Sequence, residues 1–253
     1  MAIFYGRQVV LEILKSQHKV QTLLLSDQID PEWKASVWDL ARKKSISIKT
    51  VSNHSLDNLT RGNHQGVAIE AAQIQPIEFK SFCQNLSPTF KGFVVLLDEI
   101  QDPQNLGAML RSAVCFDCSG VIVPTRRSSP LGETVMRASS GAMAHCPIVE
   151  IANLGVAIER LQERGFFIVG ADPTASTFLD EVPLQFPLAI LLGNEHRGIK
   201  SLYKKNCDQL LKIRQSPKFD SLNVSCAATV FFNTIYRKMG TVPLGTVPIF
   251  KGK

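Results

Sequence analysis

Three segments bring together side chains that could do chemistry: 97–113 (LDEIQDPQNLGAMLRSA), 191–199 (LLGNEHRGI) and 213–237 (IRQSPKFDSLNVSCAATVFFNTIYR). In the second, Gly193 and Gly198 with Lys200 and Ser201 approximate a phosphate-binding loop. That loop needs G-x-x-x-x-G-K-[ST], its lysine directly after the second glycine so that the ammonium reaches the phosphates. Here Ile199 intervenes, and Glu195 places a negative charge where phosphate oxygens would sit. What remains is an apolar strand, a glycine turn and a carboxylate at the strand's C-terminal end, where open α/β sheets bind ligands. In the first segment Pro103, Asn105 and Gly107 shape a turn into a helix. Arg111 lies on its first turns, able to return its guanidinium over the end of the sheet. A dinucleotide site, or the commonest methyl-donor fold, would show G-x-G-x-x-G there, and only Gly107 is present. In the third segment Ser221 or Asn223 can cap a helix. Val224, Ala227, Ala228, Val230, Phe231 and Ile235 make that helix apolar on most sides, hence buried.

The elements that must hold these groups follow from the apolar pattern. Residues 6–17 form a helix with Val9, Val10, Ile13 and Leu14 on one face. Strands are expected at 20–25, 46–51 and 66–71, a helix from Asp30 and Pro31 to about Lys44, and a short helix opening at Ser52. This front αβαβαβ module spans 1–72. Residues 73–90, with Pro76 and Pro88, read as a linker. A second domain runs over 91–253, with strands at 93–98, 120–124, 166–170, 188–192 and 210–213. Helices are expected at 106–116, 153–164 and 222–239. Continuous apolar strands separated by helices predict an α/β domain with a parallel sheet covered on both faces.

The bulk properties set the class. Hydrophobic residues make up 45% and charged residues 20%, as in ordinary globular chains. No run of about 18 apolar residues predicts a membrane span, and MAIFYGRQVVLEIL lacks the basic and apolar regions of a secretory signal. The six cysteines, unevenly spaced, read as reduced thiols, so a cytoplasmic protein is expected. The net charge of +6 is concentrated: Lys200, Lys204, Lys205, Lys212, Arg214 and Lys218 stand against Asp208 alone within 200–218. A basic run beside a ligand-binding turn favours a polyanionic partner, nucleic acid first.

Taken together, the three segments resemble the motifs of the SpoU (TrmH) family of RNA ribose 2′-O-methyltransferases, of the SPOUT class. DEIQDPQNLGAMLRSA is similar to the first motif, LLGNEHRGI to the second and SLNVSCAA to the third, in the family's order. RASSGA (137–142) matches a further family segment, and YGRQVVLEIL with HQGVAIEA resembles the RNA-binding front domain of RlmB-like members. The resemblance implies a catalytic domain whose C-terminal stretch is threaded as a trefoil knot. It implies S-adenosylmethionine held by Leu192, Gly193, Ile213, Leu222 and Asn223, and catalytic roles for Asn105, Arg111, Glu195, Ser221 and Asn223. It further implies RNA contacts at Arg7, His64, Gln65, Arg126, Arg127 and Lys218, and a homodimer that needs no metal and no membrane. A guanosine of 23S ribosomal RNA is the first expected target and tRNA the second. A non-catalytic RNA-binding or ribosome-assembly protein that retains the fold is the alternative of another class. Deleting residues 1–72 is expected to weaken RNA binding and preserve a folded dimer.

The chemistry implied is presentation of a ribose 2′-hydroxyl in line with an electrophilic methyl, a task dominated by proximity and orientation. A guanidinium stays protonated, so Arg111 is expected to clamp a phosphate and stabilise a developing oxyanion rather than act as base. Glu195 would orient Arg111 or contact the ribose, Asn105 and Asn223 would position by hydrogen bonds, and Ser221 would contact the transferred group or cap. The chain departs from the family where Arg214, Gln215 and Pro217 replace a usual Pro-Met and glycine, at the edge of the cofactor site. Cys115-Phe-Asp-Cys118 has CxxC spacing at the wrong end of a helix for thiolate stabilisation. Cys83, Cys146 and Cys207 supply no paired zinc ligands.

Overall fold

The computed structural model describes residues 1–87, 89–218 and 221–240. Pro88 of the expected linker, and the stretch 241–253 at the expected end of the second domain, lie outside the described residues. In chain order the elements begin with β1 (Ala2–Tyr5), α1 (Arg7–Lys15), β2 (Val20–Ser26), α2 (Pro31–Lys43), β3 (Ser47–Val51), α3 (Asn53–Leu59) and β4 (Val67–Ala71). They continue with β5 (Ile77–Glu78), α4 (Phe79–Asn85), β6 (Phe93–Leu97), α5 (Pro103–Cys115), β7 (Val121–Pro124) and α6 (Glu133–Ala138). A 3-10 turn (Ala142–His145) leads to β8 (Ile148–Ile151). The last are α7 (Leu154–Glu163), β9 (Phe167–Ala171), β10 (Thr177–Phe178), β11 (Leu188–Leu192), α8 (Ser201–Lys205), β12 (Gln209–Lys212) and α9 (Val224–Met239).

The chain divides into two compact units, one of residues 1–75 with 130–145, the other of 76–129 with 146 onward. The first is built on a four-stranded sheet in the order β1-β4-β2-β3, with β2 and β3 parallel and β4 antiparallel to both β1 and β2. β1 is absent from the sequence reading, which started the module with a helix. Four residues are too few to show a period, yet Phe4 and Tyr5 are buried and Gly6, at φ 95°, turns the chain from strand into helix. The predicted face of α1 is the buried one: Val9, Val10, Ile13 and Leu14. Asp30 caps α2 by accepting from Trp33 N (2.7 Å), with Pro31 at the first position, and Ser52 caps α3.

Residues 130–145, which the sequence reading gave to the second domain, belong to this first unit. Arg137 donates to the Tyr5 hydroxyl (2.8 Å), and His145 pairs with Glu12 (2.9 Å). Gly141, at φ 88°, lies so close to α1 that a Cβ there would come within 2.7 Å of Glu12 Cβ and 3.1 Å of Val9 Cα. Val135, Met136 and Met143 are buried. The RASSGA segment is therefore a packing device of the first unit. Removing residues 1–72 would strip its partners, which stands against the expectation that this deletion preserves a folded dimer.

The second unit carries an eight-stranded sheet, β10-β12-β9-β11-β6-β7-β8-β5, and every adjacent pair is parallel. β6 and β11 are buried at every position, as a sheet covered on both faces requires. Val94, Leu96, Ala189 and Leu191 share one core with Phe82 of α4 and with Leu154, Ile158 and Leu161 of α7. Alternate residues point the other way, and there Phe93 meets Phe232 of α9 with ring centroids 6.0 Å apart. The expected linker is corrected over 77–85. β5 pairs with β8 at the sheet edge, and Phe82 of α4 is fully buried, close enough that a Cβ on Gly120 would stand 2.6 Å from its ring. Pro76 directly precedes a two-residue strand and a two-turn helix. The chain leaves β6 toward β7 on one side, while β11 flanks β6 on the other. The C-terminal ends of β6 and β11 thus form the switch point at which such sheets bind ligands.

Candidate active site

Each end of the switch point is built by a few residues. β11 stops at Leu192 and Gly193 passes against the returning chain. A Cβ on Gly193 would lie 2.1 Å from the Gly198 carbonyl carbon and 2.2 Å from Ile199 N, an approach that a hydrogen alone permits. Asn194 and Gly198 then exchange two backbone hydrogen bonds (3.1 and 2.9 Å), closing a tight loop that presents residues 195–197. The Asn194 side chain pins this loop twice. Its amide donates to the Glu99 carbonyl (2.8 Å), and its oxygen accepts from His196 N (3.0 Å) and Arg197 N (3.3 Å). Asn194 was missed in the sequence, although its place directly after the turn glycine, where Asn side chains bond local backbone, was a usable signal.

Lys200 shows why the segment is no phosphate loop. Its ammonium sits 2.6 Å from Glu99 Oε1 and 3.4 Å from Asp98 Oδ1, and its backbone N–H donates to Asp98 Oδ2 (3.2 Å). Burial pushes the Asp98 carboxyl up, with Lys200 opposing. The hydrogen bond from Lys200 holds Glu99 below the usual glutamate range. The lysine is a tie between two strand ends.

Three of the expected catalytic residues form one hydrogen-bonded chain. Asn105 donates to Glu195 Oε1 (3.1 Å), and Asn223 donates to Asn105 Oδ1 (3.0 Å). Asn223 Oδ1 accepts from Ser225 N (2.8 Å), so Asn223 rather than Ser221 caps α9. Asn105 is fixed on the first turn of α5, which Asp102 caps through Gln104 N (2.9 Å). Each amide is used at both ends, so the carboxylate at 195 is tied to the starts of two helices. Arg111 lies further along α5 and is exposed. The neighbouring Ser112 meets Thr229 of α9, hydroxyl to hydroxyl, at 2.7 Å.

Beside this chain lies a cleft of about 620 Å³ at the ends of β9, β11 and β12. Leu192, Gly193, Glu195, Ile213, Ser221 and Leu222 line it, all expected at the site. Asn105, Asn223 and Arg111 are not among its lining residues, and Asn223 reaches the site through Asn105. Phe178, Leu211, Ala227 and Phe231 give it apolar walls, and Asp172 and Lys204 form an ion pair at its edge. Sequence reasoning missed Phe178, Asp172 and Lys204, which become neighbours only through strand pairing.

The expected RNA contacts are distributed over both units. In the first, Arg7 and Gln65 are joined: Arg7 N donates to Gln65 Oε1 (2.8 Å), and the Arg7 guanidinium stands 5.4 Å from the Trp33 ring centroid. His64 Nδ1 accepts from Gly66 N (2.9 Å) while Nε2 faces Asp57 (3.0 Å), so both ring nitrogens serve the turn. In the second, Arg126, Arg127 and Lys218 are exposed, and Arg127 pairs with Glu99 (3.4 Å). The basic run of 200–218 is less basic in the fold than in the sequence. Lys200, Lys204 and Arg214 are paired with Asp98 and Glu99, with Asp172, and with Asp180 and Glu181. Local counting could not see these acids.

Cys118 is buried, donates to the Gly120 carbonyl, and burial pushes its thiol up to about 12. Among the described residues all six cysteines are free and no cluster of metal-binding side chains occurs. Among the described residues no helix is long and apolar enough to cross a membrane.

A parallel α/β unit with a glycine-built loop and a cleft at its switch point, preceded by a small mixed-sheet unit, defines a two-part architecture. Comparison with known proteins gives it a family. Residues 92–233 match the SpoU rRNA methylase family, and residues 3–77 match the RNA 2′-O ribose methyltransferase substrate-binding family. YacO of Bacillus subtilis, classed in the TrmH family of tRNA/rRNA methyltransferases, is 34% identical over 238 residues, covering 94% of this chain and 96% of that protein. A Staphylococcus haemolyticus protein of the same class is 35% identical over 93% of this chain and 95% of its own length. In fold, the chain is similar to the SpoU methyltransferase AviRb of Streptomyces viridochromogenes in complex with AdoMet. The TM-score is 0.77 at 20% identity, over 93% of this chain and 89% of that one. It is similar also to an AdoMet-bound rRNA methyltransferase of Sinorhizobium meliloti, with a TM-score of 0.76 at 23% identity over 93% and 87%. The chain belongs to the SpoU (TrmH) family of RNA methyltransferases.

Proposed function

We propose that this protein transfers a methyl group from S-adenosylmethionine to a ribose 2′-hydroxyl of RNA, with a guanosine of 23S ribosomal RNA as the target. The observation that carries the reading is the Glu195–Asn105–Asn223 chain beside a cleft lined by Leu192, Gly193, Ile213 and Leu222. The residues suit the cofactor. The cleft volume lies within the range of small-molecule sites, its apolar walls suit an adenine, and its carboxylate Glu195 suits a molecule carrying a sulfonium and an ammonium. Leu192, Gly193, Ile213 and Leu222 would hold it, with Asn223, expected among them from the sequence, acting through Asn105 instead. When bound, S-adenosylmethionine supplies an electrophilic methyl.

The chain's own groups supply orientation. Glu195, fixed by Asn105, accepts hydrogen bonds from the ribose. Arg111 binds the adjoining phosphate and stabilises negative charge on the 2′-oxygen as its proton passes to solvent water. Asn223 keeps Asn105 in the rotamer that serves Glu195, and Ser221 contacts the cofactor from the cleft rim. Residues 1–75 with 130–145 are the RNA-binding unit, in which Arg7 and Gln65 meet RNA, while Arg126, Arg127 and Lys218 contact the strand from the second unit. His64 shapes the turn that carries Gln65. The working form is a cytoplasmic homodimer, with the stretch around β11 to α9 threaded as the family's knot. A tRNA is the second reading of the substrate, favoured by the tRNA/rRNA class of the Bacillus relative.

Calorimetry of the purified chain with S-adenosylmethionine tests the cofactor half of the proposal: saturable binding is expected. A flat titration would leave only an RNA-binding protein of the family fold. Mapping 2′-O-methylation in RNA from a strain lacking the gene tests the target, and a site lost from tRNA instead of 23S RNA would select the second reading.

A further inference from the structure

The loop that departs from the family pattern, 213–218, is held by a device of its own. Arg214 follows β12 and is engaged on three sides. Its guanidinium carbon lies 4.0 Å from the Phe178 ring centroid, its Nε faces Asp180 Oδ2 (3.4 Å), and a terminal nitrogen donates to Glu181 Oε1. These partners sit on a strap, 177–182, that is itself fixed. β10 pairs with β12 at Thr177–Leu211 and Phe178–Lys212, and Leu179 N donates to the Lys212 carbonyl (2.9 Å). From the end of α9, the Lys238 ammonium donates to the carbonyls of Leu179 (3.1 Å), Asp180 (3.4 Å) and Val182. The strap is thus tied to the sheet edge and to a core-packed helix.

The consequence for the cleft follows from which residues line it. Phe178, Lys212, Ile213 and Gln215 all do, so the strap and the loop after β12 form one wall. Ile213 precedes Arg214 and Gln215 follows it. The loop runs without helix or strand from Ile213 to Ser216 and turns at Pro217–Lys218, where Lys218 N donates to the Ser216 hydroxyl (3.3 Å). The Arg214 guanidinium, stacked on the aromatic ring and paired with two carboxylates, joins the loop to the strap, with the Lys212 ammonium 4.7 Å from the same ring centroid on the strand before it.

We propose that Arg214 is a positioning residue for the cofactor cleft. By clamping the loop after β12 onto Phe178, Asp180 and Glu181, it fixes Ile213 and Gln215 as the cleft wall. This rests on the reading of the cleft as the S-adenosylmethionine site. The pairs are half-exposed, so each contact is individually weak and screened by salt. Their joint effect is on loop geometry rather than on the stability of the fold.

The test is calorimetric titration of the full chain with S-adenosylmethionine for wild type, Arg214→Ala, Arg214→Lys and the charge exchange Arg214→Glu with Asp180→Lys and Glu181→Lys. Arg214→Ala is expected to weaken cofactor binding roughly three- to tenfold. Arg214→Lys, which keeps the charge and loses the planar stack, should fall between, and the charge exchange should recover part of the loss that Arg214→Glu alone produces. In turnover assays the KM for the cofactor rises and kcat holds, and the gap between wild type and Arg214→Ala narrows as salt is raised from about 0.05 to about 0.5 M. An unchanged dissociation constant in Arg214→Ala, or a loss the charge exchange fails to relieve, overturns the clamp while leaving the cleft assignment intact. Absence of binding by the wild type overturns the cleft assignment itself. Should Arg214→Ala fail to fold, the Asp180→Asn, Glu181→Gln double variant, altered only at exposed side chains, reads the same loss.

Discussion

The two units use the same kinds of side chain in opposite ways. In the second, Asn105, Glu195 and Asn223 come from segments 90 and 118 residues apart and meet end to end beside a concave cleft. In the first, Arg7 and Gln65 bond to each other, and His64 bonds to Gly66 of its own turn and to Asp57 of the neighbouring helix. A site that aligns a small electrophile with one hydroxyl needs groups fixed by distant elements, because orientation supplies much of the acceleration. A surface that holds a long polyanion gains affinity from several weakly ordered contacts, whose energy depends on charge more than on angle. The contrast predicts that substitutions in the second unit act as all-or-none events and those in the first as gradations.

The sharpest break of that contrast is at Arg111. Arg111→Ala is expected to lower methyl transfer on the order of a thousandfold while cofactor affinity stays within about twofold, if the guanidinium acts on the 2′-oxyanion. Parallel loss of both would make it structural. Gly193→Ala comes next: its Cβ would overlap the backbone at 198 and 199, so the loop must open and cofactor binding be lost. Retained binding would show that the loop moves freely. Removing residues 1–72 exposes Val135, Met136 and Met143, each worth about 1.5–3 kcal/mol of burial. The truncated chain should therefore melt lower and aggregate, and an unshifted melting profile would contradict the assignment of 130–145 to the first unit. Asn105→Ala removes one donor to a carboxylate and should cost roughly tenfold in kcat with little change in cofactor KM. The smallest effect is chemical. At pH 8 a Cys118 thiol with a pKa pushed up to about 12 is almost wholly protonated, so thiol alkylation of the native chain should spare it. Labelling at Cys118 would show that the end of α5 opens.

Much of this is legible in the sequence. The apolar stripe of α1, the caps at Asp30 and Ser52, the buried strands β6 and β11 and the carboxylate behind Gly193 each lie within a few residues of the signal that reveals them. What was hidden depends on pairing across the chain. β1 and β5 are strands only because β4 and β8 lie beside them. The basic run of 200–218 lost its apparent charge to acids at 98–99, 172 and 180–181, which no window could include. The RASSGA segment was visible as a motif, yet its attachment to α1 rests on the closeness of Gly141 to Val9 and Glu12. Asn194 was within reach, since an Asn after a turn glycine is a common loop pin.

The central claim is that this fold delivers a methyl group to a ribose oxygen of RNA. Incubation of the full chain with 23S ribosomal RNA and methyl-labelled S-adenosylmethionine, followed by nuclease digestion and mass spectrometry of the labelled nucleoside, tests it directly. The account predicts one labelled nucleoside, a guanosine whose extra methyl stays with the sugar when the glycosidic bond is broken. Label that stays with the base, or no label above that of the Arg111→Ala protein, would contradict it.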